Sequence, residues 1–486
     1  MPAITIENLS FAYPGATENV FENLSLRLDT GWRLGLVGRN GRGKTTLLRL
    51  LAGEYEYSGR ISAPVGFSRF PAEAPDASLS VLDALRGVSP QAEDWELERE
   101  LGLLGLGGET LERPFSTLSP GEQTRAMLAP LFIGDGRFPL IDEPTNHLDE
   151  AARAAVSAYL AAKRGFILVS HDRRFLDGCV DHILALNRSG AELRGGNFSA
   201  WFEDFERRQA GEAELNERLR RDAERLRESA RAAAGWSDKV EKSKRGAADK
   251  GYVGHKAAKM MKRSKSIEAR QLKAAAAREA LMKDTESAEA LKLAPLPYRA
   301  ETLVRFRDAA ALYSGRPSGR PASFEIKRGE RVALCGGNGS GKSSLIRLLT
   351  DECVEHAGAV ERGSGLIISA VPQDASRLAG TPESFADGRG LPLSLFMTVL
   401  RKLDFPRALL RADMAGFSAG QKKKVLLAAS LCESAHLYVW DEPLNYIDVY
   451  SRMQLERLIE EFRPTMLFVE HDAAFREKIA TKLVEL

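Results

Sequence analysis

Apolar residues occur in short runs along this chain, and each run has a counterpart in the other half. Runs of four or five mainly apolar residues are typical of strands in a parallel sheet that is covered on both faces. The paired runs are 33–37 and 331–335, 138–141 and 437–440, and 166–169 and 466–469. The first pair leads through glycine-rich loops into leucine-rich stretches at 46–51 and 344–349, which predict helices. The pattern predicts an α/β fold that is built twice.

Four polar motifs follow these runs in the same order in both halves. They are 38–45, 118–123, 142–149 and 171 in the first half, and 336–343, 417–421, 441–448 and 471 in the second. The loop lysine, the first acidic residue and the histidine recur after 298, 299 and 300 residues. Motifs that recur in the same order at a nearly constant offset identify an internal repeat.

The segment between the repeats has a helical pattern. Leu215, Leu219 and Leu226 lie on one helix face, and positions 267, 274 and 281 are apolar at intervals of seven. Glycines at 235, 246, 251 and 254 are break signals. We predict two long antiparallel helices, forming a coiled coil, that are joined by an irregular tip.

The predicted tip is strongly basic, although the net charge of the whole chain is only +2. Residues 231–270 include twelve Lys or Arg against four Asp or Glu, interleaved with aromatic residues. Basic groups neutralise phosphates and aromatic faces stack on bases, so the pattern favours RNA contact. A solvated helical spacer is the alternative interpretation. The candidate RNA-binding residues are Trp236, Lys242, Lys244, Arg245, Tyr252, His255, Lys256, Lys259, Lys262 and Arg263.

Composition narrows the class of protein. A chain of 486 residues is too long for one core, and 44% hydrophobic with 28% charged residues is ordinary for soluble proteins. Four scattered cysteines indicate neither a disulfide framework nor a zinc site. We expect no signal peptide and no membrane span, which needs about 18 apolar residues. A cytoplasmic protein without a membrane partner is therefore predicted.

The glycine-rich loops predict phosphate binding, because backbone amides can approach phosphates closely where no Cβ intervenes. Lys44 and Lys342 are predicted to reach the β- and γ-phosphates of ATP, and Thr45 and Ser343 to bind Mg²⁺. Further loop candidates for nucleotide binding are Gly38, Asn40, Gly41, Gly43, Thr46, Gly336, Asn338, Gly339, Gly341 and Ser344.

Acidic pairs and histidines after buried strands predict the hydrolytic chemistry. Asp142 and Asp441 are candidate Mg²⁺ ligands. The following residues, Glu143 and Glu442, are candidate bases for the attacking water. The paired histidines His171 and His471 are interpreted as γ-phosphate contacts, although a lone histidine is more often structural.

The motifs Leu118-Ser-Pro-Gly-Glu-Gln123 and Phe417-Ser-Ala-Gly-Gln421, called signature motifs below, make both repeats resemble the ATP-binding cassette superfamily. The resemblance implies two P-loop ATPase domains, 1–205 and 293–486, joined by a helical linker at 206–292. It also implies head-to-tail packing, with each of two ATP molecules held between the loop of one repeat and the signature of the other. The implied partners are Ser418, Gly420 and Gln421 for the Lys44 site, and Ser119, Gly121 and Glu122 for the Lys342 site.

The resemblance also carries over aromatic and glutamine positions. Tyr13 is expected to stack on adenine, and for Tyr313 this role and an ordinary turn position are equally open. The superfamily's Mg²⁺-binding glutamine is present as Gln373, whereas the first repeat has Ala72 in the equivalent stretch. The second signature has Ala419 where glycine is usual. We expect the two sites to hydrolyse ATP at different rates, and which is faster is left open.

Two cassettes around a charged linker resemble the ABC-F family. The stretches 251–265 and 440–448 are similar to its antibiotic-resistance branch of Lsa, Vga and Vml type. The resemblance implies a monomer that binds the tRNA exit site of the 70S ribosome. Its linker would reach 23S rRNA and P-site tRNA near the peptidyl-transferase centre and promote release of lincosamides, pleuromutilins or streptogramin A. A housekeeping translation factor, a DNA-associated ATPase and a transporter subunit are the alternatives.

Overall fold

The computed structural model describes residues 2–15, 19–71, 76, 78–134, 136–146, 148–187, 190–243, 250–280, 291–350 and 354–486. The chain divides into two compact units. One unit comprises Met1–Trp201 and Ala288–Leu486 and contains both repeats, and the other is Phe202–Ser287.

The first repeat contains a six-stranded sheet and a three-stranded antiparallel sheet, ordered β5-β6-β7-β3-β8-β9 and β2-β1-β4. Its strands are β1 (Ala3–Phe11), β2 (Phe21–Asp29), β3 (Arg33–Gly38), β4 (Ser58–Ser62), β5 (Gly66–Phe70), β6 (Arg137–Asp142), β7 (Phe166–Val169), β8 (His182–Asn187) and β9 (Gly190–Gly195). Its helices are α1 (Lys44–Leu51), α2 (Val81–Val88), α3 (Asp94–Leu103), α4 (Pro120–Leu128), α5 (Glu150–Ala161) and α6 (Arg173–Cys179).

The second repeat has the same plan, with a five-stranded parallel sheet ordered β15-β16-β17-β13-β18. Its strands are β10 (Thr302–Tyr313), β11 (Arg316–Pro317), β12 (Ala322–Lys327), β13 (Arg331–Cys335), β14 (His356–Arg362), β15 (Ile368–Val371), β16 (Leu437–Asp441), β17 (Met466–Val469) and β18 (Lys482–Glu485). Its helices are α9 (Lys342–Thr350), α10 (Pro382–Gly388), α11 (Leu393–Lys402), α12 (Ala419–Cys432), α13 (Val449–Phe462) and α14 (Ala473–Ile479). The predicted fold class of two α/β ATPase cassettes is confirmed.

Strand register brings the polar motifs together. In the first repeat, Leu36 of β3 and Asp142 of β6 both pair with Val169 of β7. In the second, Leu334 and Asp441 both pair with Val469. Parallel strands carry their following loops to one edge of the sheet. The phosphate loop, the acidic pair and the histidine of each repeat therefore meet at that edge.

Between the repeats lie two helices, α7 (Phe198–Ser243) and α8 (Lys250–Ala280). Within the second unit, the Gln271 amide donates to the Ser229 hydroxyl at 2.8 Å, which links the two helices. Leu219 is buried, as the predicted stripe requires, but Leu215 and Ile267 are 47% and 42% exposed. Small side chains contribute to the buried positions instead, at Ala223, Ala230 and Ala275.

The prediction that glycines break the linker helices is wrong at three positions. Gly235 lies within α7, and Gly251 and Gly254 lie within α8. One glycine costs a helix only about 1 kcal/mol relative to alanine, and many neighbouring residues are strong helix formers. Gly246 and Leu281 lie outside the described residues. No helix in the described part of the chain is long and apolar enough to cross a membrane.

Candidate active sites

Both phosphate loops use glycine where the backbone is left-handed. The φ angles are 82° at Gly41 and 85° at Gly43, and 80° at Gly339 and 97° at Gly341. Other residues are strained in this region. A Cβ at Gly41 or Gly339 would meet no described atom within 4 Å, so these positions face open space. The loops can therefore present backbone amides to a phosphate group.

The loop lysines fold back over their own loops. Lys44 Nζ donates to the carbonyl oxygens of Gly38, at 2.8 Å, and Arg39, at 3.2 Å. Lys342 makes the two equivalent bonds, both at 2.8 Å. Both side chains are buried, and this burial lowers the pKa of each ammonium group. Each loop thus holds a positive charge beside the position where phosphates are predicted.

The first cavity, of about 600 Å³, lies between the first phosphate loop and the second signature motif. The structure brings together there the predicted residues Tyr13, Asn40, Gly41, Gly43, Lys44, Thr45, Thr46, Asp142, Glu143, His171, Ser418, Gly420 and Gln421. Among the described bonds that cross between the repeats, two lie at this cavity. Asn40 donates to the Tyr446 carbonyl at 2.9 Å, and Arg39 pairs with Asp404 at 3.3 Å.

The second cavity, of about 790 Å³, lies between the second phosphate loop and the first signature motif. Its predicted residues are Ser119, Gly121, Glu122, Asn338, Gly339, Gly341, Lys342, Ser343, Ser344, Gln373, Glu442 and His471. Residues that the sequence did not suggest also line it, among them Ser318, Gly319, Asn146 and Tyr446. Tyr446 and Asn146 each line both cavities; they belong to motifs singled out in the sequence, but those motifs did not indicate this shared position.

The signature serines begin helices. Ser119 caps α4 and Ser418 caps α12, each in a reciprocal box in which the residue three positions later returns a bond to the serine backbone. The Glu122 carboxylate accepts from Ser119 N at 2.8 Å, and the Gln421 amide oxygen accepts from Ser418 N at 2.9 Å. These two predicted nucleotide contacts therefore have a capping role, which places the serines at helix starts facing the cavities.

The two aspartates end the strands beside the loops and fit a cation. Burial raises the pKa of Asp142, and it raises the pKa of Asp441 to about 6. Asp441 Oδ1 is buried and accepts no hydrogen bond from a described residue. The hydroxyls of Thr45 and Ser343 lie nearby and partly offset the two shifts. Mg²⁺ prefers one or two carboxylates together with substrate phosphates, and this oxygen set matches that preference.

Glu143, the candidate base of the first cavity, is half-buried and lies near charged residues. Its Oε1 lies 3.4 Å from Nε2 of His171 and accepts no hydrogen bond from a described residue. Burial, and then the charge of Asp142, raise the pKa of Glu143 to about 8. Burial and the charge of Lys44 lower the pKa of His171 well below its usual range.

Glu442, the candidate base of the second cavity, is hydrogen-bonded on both oxygens. Gln373 Nε2 donates to Oε1 at 2.9 Å, and Asn445 Nδ2 donates to Oε2 at 2.6 Å. His471 Nε2 lies 3.5 Å from Oε1. Burial would raise the pKa of Glu442, but the hydrogen bond and charge of His471, with the two amides, lower it to about 2.

Gln373 links the base to the phosphate loop of the second cavity. Its Oε1 accepts from the Ser343 hydroxyl at 3.4 Å while its amide group binds Glu442. Ala72, at the equivalent place in the first repeat, lies outside the described residues.

The histidines are supported by different residues in the two repeats. Ser170 precedes His171, and its hydroxyl accepts from Asp172 N at 3.2 Å. In the second repeat this position is Glu470, which is buried and accepts from the backbone amides of Leu444, His471 and Asp472 at 3.1, 2.7 and 3.3 Å. Glu470 was missed by sequence reasoning, although aligning the repeats would have marked the exchange of serine for glutamate.

The two tyrosines expected near adenine differ. Tyr13 lines the first cavity, is 38% exposed and bonds Thr46 Oγ1 at 2.8 Å. Tyr313 is 44% exposed and receives a hydrogen bond from Arg347 at 3.3 Å, but it is not among the residues lining the second cavity. Tyr13 thus lies at the cavity where it was predicted, and Tyr313 is not among the described residues that line the second cavity.

The candidate RNA-binding residues lie on the linker. Lys259, Lys262 and Arg263 are exposed on α8. Five further candidates belong to α7 or α8, but the structure does not describe their side chains: Trp236, Lys242, Tyr252, His255 and Lys256. Lys244 and Arg245 lie outside the described residues.

Comparison with known proteins gives consistent results. The family model described as ABC transporter matches residues 21–146 and 320–445. The chain is 28% identical over 502 residues to the ribosome protection protein VmlR of Bacillus subtilis, covering 99% of this chain and 86% of that protein. It is 26% identical over 526 residues to the energy-dependent translational throttle protein EttA of Haemophilus influenzae, covering 96% and 89%. The solved structure of an RNase-L inhibitor has a TM-score of 0.62 at 21% identity, covering 99% of this chain and 87% of that one, which supports the fold.

Proposed function

The chain belongs to the ATP-binding cassette family, as an ATPase of the ABC-F group, and from this premise we propose that it is an ATP-dependent ribosome protection factor. The two cassettes bind ATP. We assign one ATP to each cavity, with the bases, Mg²⁺ ligands and nucleotide contacts predicted from the sequence. Because one chain contributes both sides of each cavity, a monomer suffices.

Nucleotide binding is coupled to closure in this proposal. The phosphate loop and the signature motif that line each cavity belong to different repeats. ATP therefore binds best when the repeats are together and stabilises that closed state. Hydrolysis removes the γ-phosphate that both sides contact, which favours opening and release from the ribosome.

The exposed basic face of the linker is the observation that carries the ribosomal assignment. Lys259, Lys262, Arg263 and Lys265 are all exposed within a seven-residue stretch of α8. Lysine and arginine side chains of this kind bind phosphates and release counterions, which makes the binding dependent on salt. The likeness to VmlR over 99% of the chain supports an RNA target on the ribosome.

We further propose that the protein promotes the release of antibiotics bound to the ribosome. The protein would bind the tRNA exit site of the 70S ribosome in the cytoplasm, and the linker tip would contact 23S rRNA and P-site tRNA near the peptidyl-transferase centre. A tip in this place would displace lincosamides, pleuromutilins or streptogramin A. The likeness to the ribosome protection protein VmlR supports this branch of the family.

Ribosome co-sedimentation of the Glu143→Gln/Glu442→Gln double variant tests the ribosomal assignment. Without a base at either site, the variant should keep ATP and remain closed. We expect retention on 70S ribosomes with ATP and release with ADP. No retention in ATP would contradict the proposal, and binding of duplex DNA or of membrane fractions instead would favour the corresponding alternatives.

The linker is tested by a matched deletion. Ser229 on α7 contacts Gln271 on α8. Counting seven residues from this contact toward the tip along each helix gives Trp236 on α7 and Ser264 on α8, which therefore lie at about the same level. Deleting 236–263 and joining the ends with a short glycine turn shortens both helices to the same level. We expect this variant, and the milder change of Lys259, Lys262, Arg263 and Lys265 to glutamine, to lose ribosome retention.

The control for the linker test is a change on the stem. Arg220 and Arg221 are exposed and pair with Glu224 and Glu217 on the same helix. Their exchange for glutamine removes positive charge away from the tip and should leave retention unchanged. Equal losses in tip and stem variants would show that only total charge matters.

A housekeeping translation factor is the second candidate, favoured by the likeness to EttA over 96% of the chain. Translation in vitro separates the two. Relief of inhibition by lincomycin or tiamulin, lost in the tip deletion, would support protection. Relief of stalling without any drug, and no effect on inhibited ribosomes, would support the housekeeping role.

A further inference from the structure

Three consecutive lysines are buried near the start of α12. Lys422, Lys423 and Lys424 are 9%, 3% and 3% exposed. Lysine is almost never buried without partners that satisfy its ammonium group. The helix begins at the second signature motif, so its first residues belong to the first cavity.

Lys423 points in the other direction, toward the second cavity. Its Nζ donates to the carbonyl oxygens of Pro372 at 2.8 Å, Asp441 at 2.9 Å and Gln373 at 3.4 Å. An ammonium group has three N–H donors, so three acceptors satisfy it. The acceptors lie directly after β15 and at the end of β16, and one group thus ties these two strand ends together.

The neighbouring lysines have different partners. Lys422 donates to the Ser376 carbonyl at 3.1 Å, further along the loop after Gln373. Lys424 donates to the Leu403 carbonyl at 2.6 Å and lines the first cavity. Of the three, Lys423 is the one bonded to Gln373 and Asp441, whose side chains, with that of Ser343, form the proposed Mg²⁺ site.

The first repeat has no lysine at the equivalent position. Thr124 replaces it and donates to the Pro120 carbonyl of its own helix at 2.9 Å. Arg125, by contrast, bonds the Leu104 carbonyl at 3.0 Å, just as Lys424 bonds Leu403. The lysine anchor is therefore found in the repeat that carries Gln373 and not at the matching place in the other.

We propose that Lys423 is a positioning residue of the second ATP site. It fixes the backbones of Gln373 and Asp441 relative to each other, so that the Gln373 amide stays on Glu442 and the Asp441 carboxylate stays beside Ser343. The inference rests on the proposed assignment of the second cavity as a hydrolytic site. The inference does not depend on the proposal that the protein binds ribosomes.

The test uses Lys423→Met in a Glu143→Gln background, in which only the second site hydrolyses ATP. Loss of a residue that supports metal ligands typically costs about 10- to 100-fold in activity or metal affinity. We expect a fall in kcat of that size. Lys423→Gln, which keeps an N–H₂ donor, should fall between Lys423→Met and the parent.

A second readout does not depend on hydrolysis. In the Glu143→Gln/Glu442→Gln background, the Mg²⁺ concentration that half-saturates binding of a fluorescent ATP analogue is measured with and without Lys423→Met. We expect a rise of about tenfold for the component assigned to the second site. An unchanged Mg²⁺ dependence would overturn the proposal.

Two controls separate positioning from stability. Lys163→Met removes a partly buried lysine that pairs with the buried Glu100 away from both cavities, and it should lower Tm without changing the Mg²⁺ dependence. Lys423→Met in a Glu442→Gln background reports the first site, whose signature begins the same helix. Equal losses at both sites would show general damage to α12 and contradict the proposal.

A different result is expected if the second cavity has been wrongly assigned as a hydrolytic site. If Glu442→Gln added to Glu143→Gln leaves hydrolysis unchanged, the second cavity is not hydrolytic. If it abolishes hydrolysis while Lys423→Met has no effect, the assignment stands and the role of Lys423 is wrong.

Discussion

The first and second cavities are lined by equivalent motifs, yet their surroundings shift the pKa of the two candidate bases in opposite directions. The pKa of Glu143 is raised to about 8 by desolvation and by the charge of Asp142. The pKa of Glu442 is lowered to about 2 by His471, Gln373 and Asn445. A repeated motif thus repeats the backbone arrangement, whereas the protonation of a carboxylate depends on the groups that surround it.

Part of this pKa difference comes from an asparagine that lies three residues after each candidate base. Asn445 donates to Glu442, whereas the equivalent Asn146 lines both cavities and makes no hydrogen bond to the Glu143 side chain among the described contacts. The same residue at the same motif position therefore has different partners in the two repeats. From this difference we predict that the second site hydrolyses ATP faster than the first.

Removing each carboxylate gives the largest expected effect. Glu442→Gln should lower the steady-state rate of ATP hydrolysis about 100-fold or more, as expected for a lost general base. Glu143→Gln should cost less than about tenfold, because Glu143 is largely protonated near pH 7. Phosphate release at saturating ATP measures both, with the double variant as background. A larger loss from Glu143→Gln would reverse the comparison.

Gln373→Ala should make the second site resemble the first. The change removes a donor to Glu442 and the acceptor for Ser343. In a Glu143→Gln background we expect kcat to fall about 10- to 100-fold. Gln271→Ala on the linker, measured in the same way, is the control and should leave kcat unchanged. A normal rate in Gln373→Ala would mean that the first repeat loses nothing by having Ala72.

The pH dependence should separate the two sites. A base acts when ionised, so the activity of a group with a raised pKa is lost as pH falls below that pKa. In Glu442→Gln, where only the first site hydrolyses, kcat should drop about tenfold from pH 9 to pH 7. In Glu143→Gln, kcat should be nearly constant over this range, because Glu442 remains ionised. Superimposable profiles would contradict the assigned environments.

A smaller effect is expected from the bond between the repeats at the first cavity. Asn40→Ala removes the donor to the Tyr446 carbonyl and should cost about 0.5 to 1.5 kcal/mol of closure. The ATP concentration for half-maximal closure should then rise about two- to twelvefold, as measured by fluorescence transfer between labelled repeats. Asn19→Ala, at an exposed residue that bonds Glu22, serves as the control. No change in Asn40→Ala would show that this bond is dispensable.

The smallest effect concerns the tyrosines. Tyr13→Ala should weaken ATP binding at the first site about two- to tenfold, the range of one aromatic contact. Tyr313→Ala should leave binding at the second site unchanged, because Tyr313 does not line that cavity. Equilibrium titration with a fluorescent ATP analogue compares them. A matching loss in Tyr313→Ala would indicate that adenine lies outside the described cavity.

The sequence was informative wherever local pattern decides structure. The apolar runs predicted β3, β6 and β7 and their counterparts, since a continuous buried strand has a clear signal. It was misleading in the linker, where Gly235, Gly251 and Gly254 are helical. Helix propensity is a sum over many residues, so a few glycines do not end a long helix.

The sequence by itself determined the two repeats, the phosphate loops and the residue types of each site, because these depend on neighbours in the chain. The tertiary structure decided where Tyr446 and Lys423 lie and in which direction the pKa of Glu143 and that of Glu442 are shifted. Burial and charge act through space over a few ångströms. They are therefore set by residues that packing brings together from separate parts of the chain, such as Gln373 and Glu442, which are 69 positions apart.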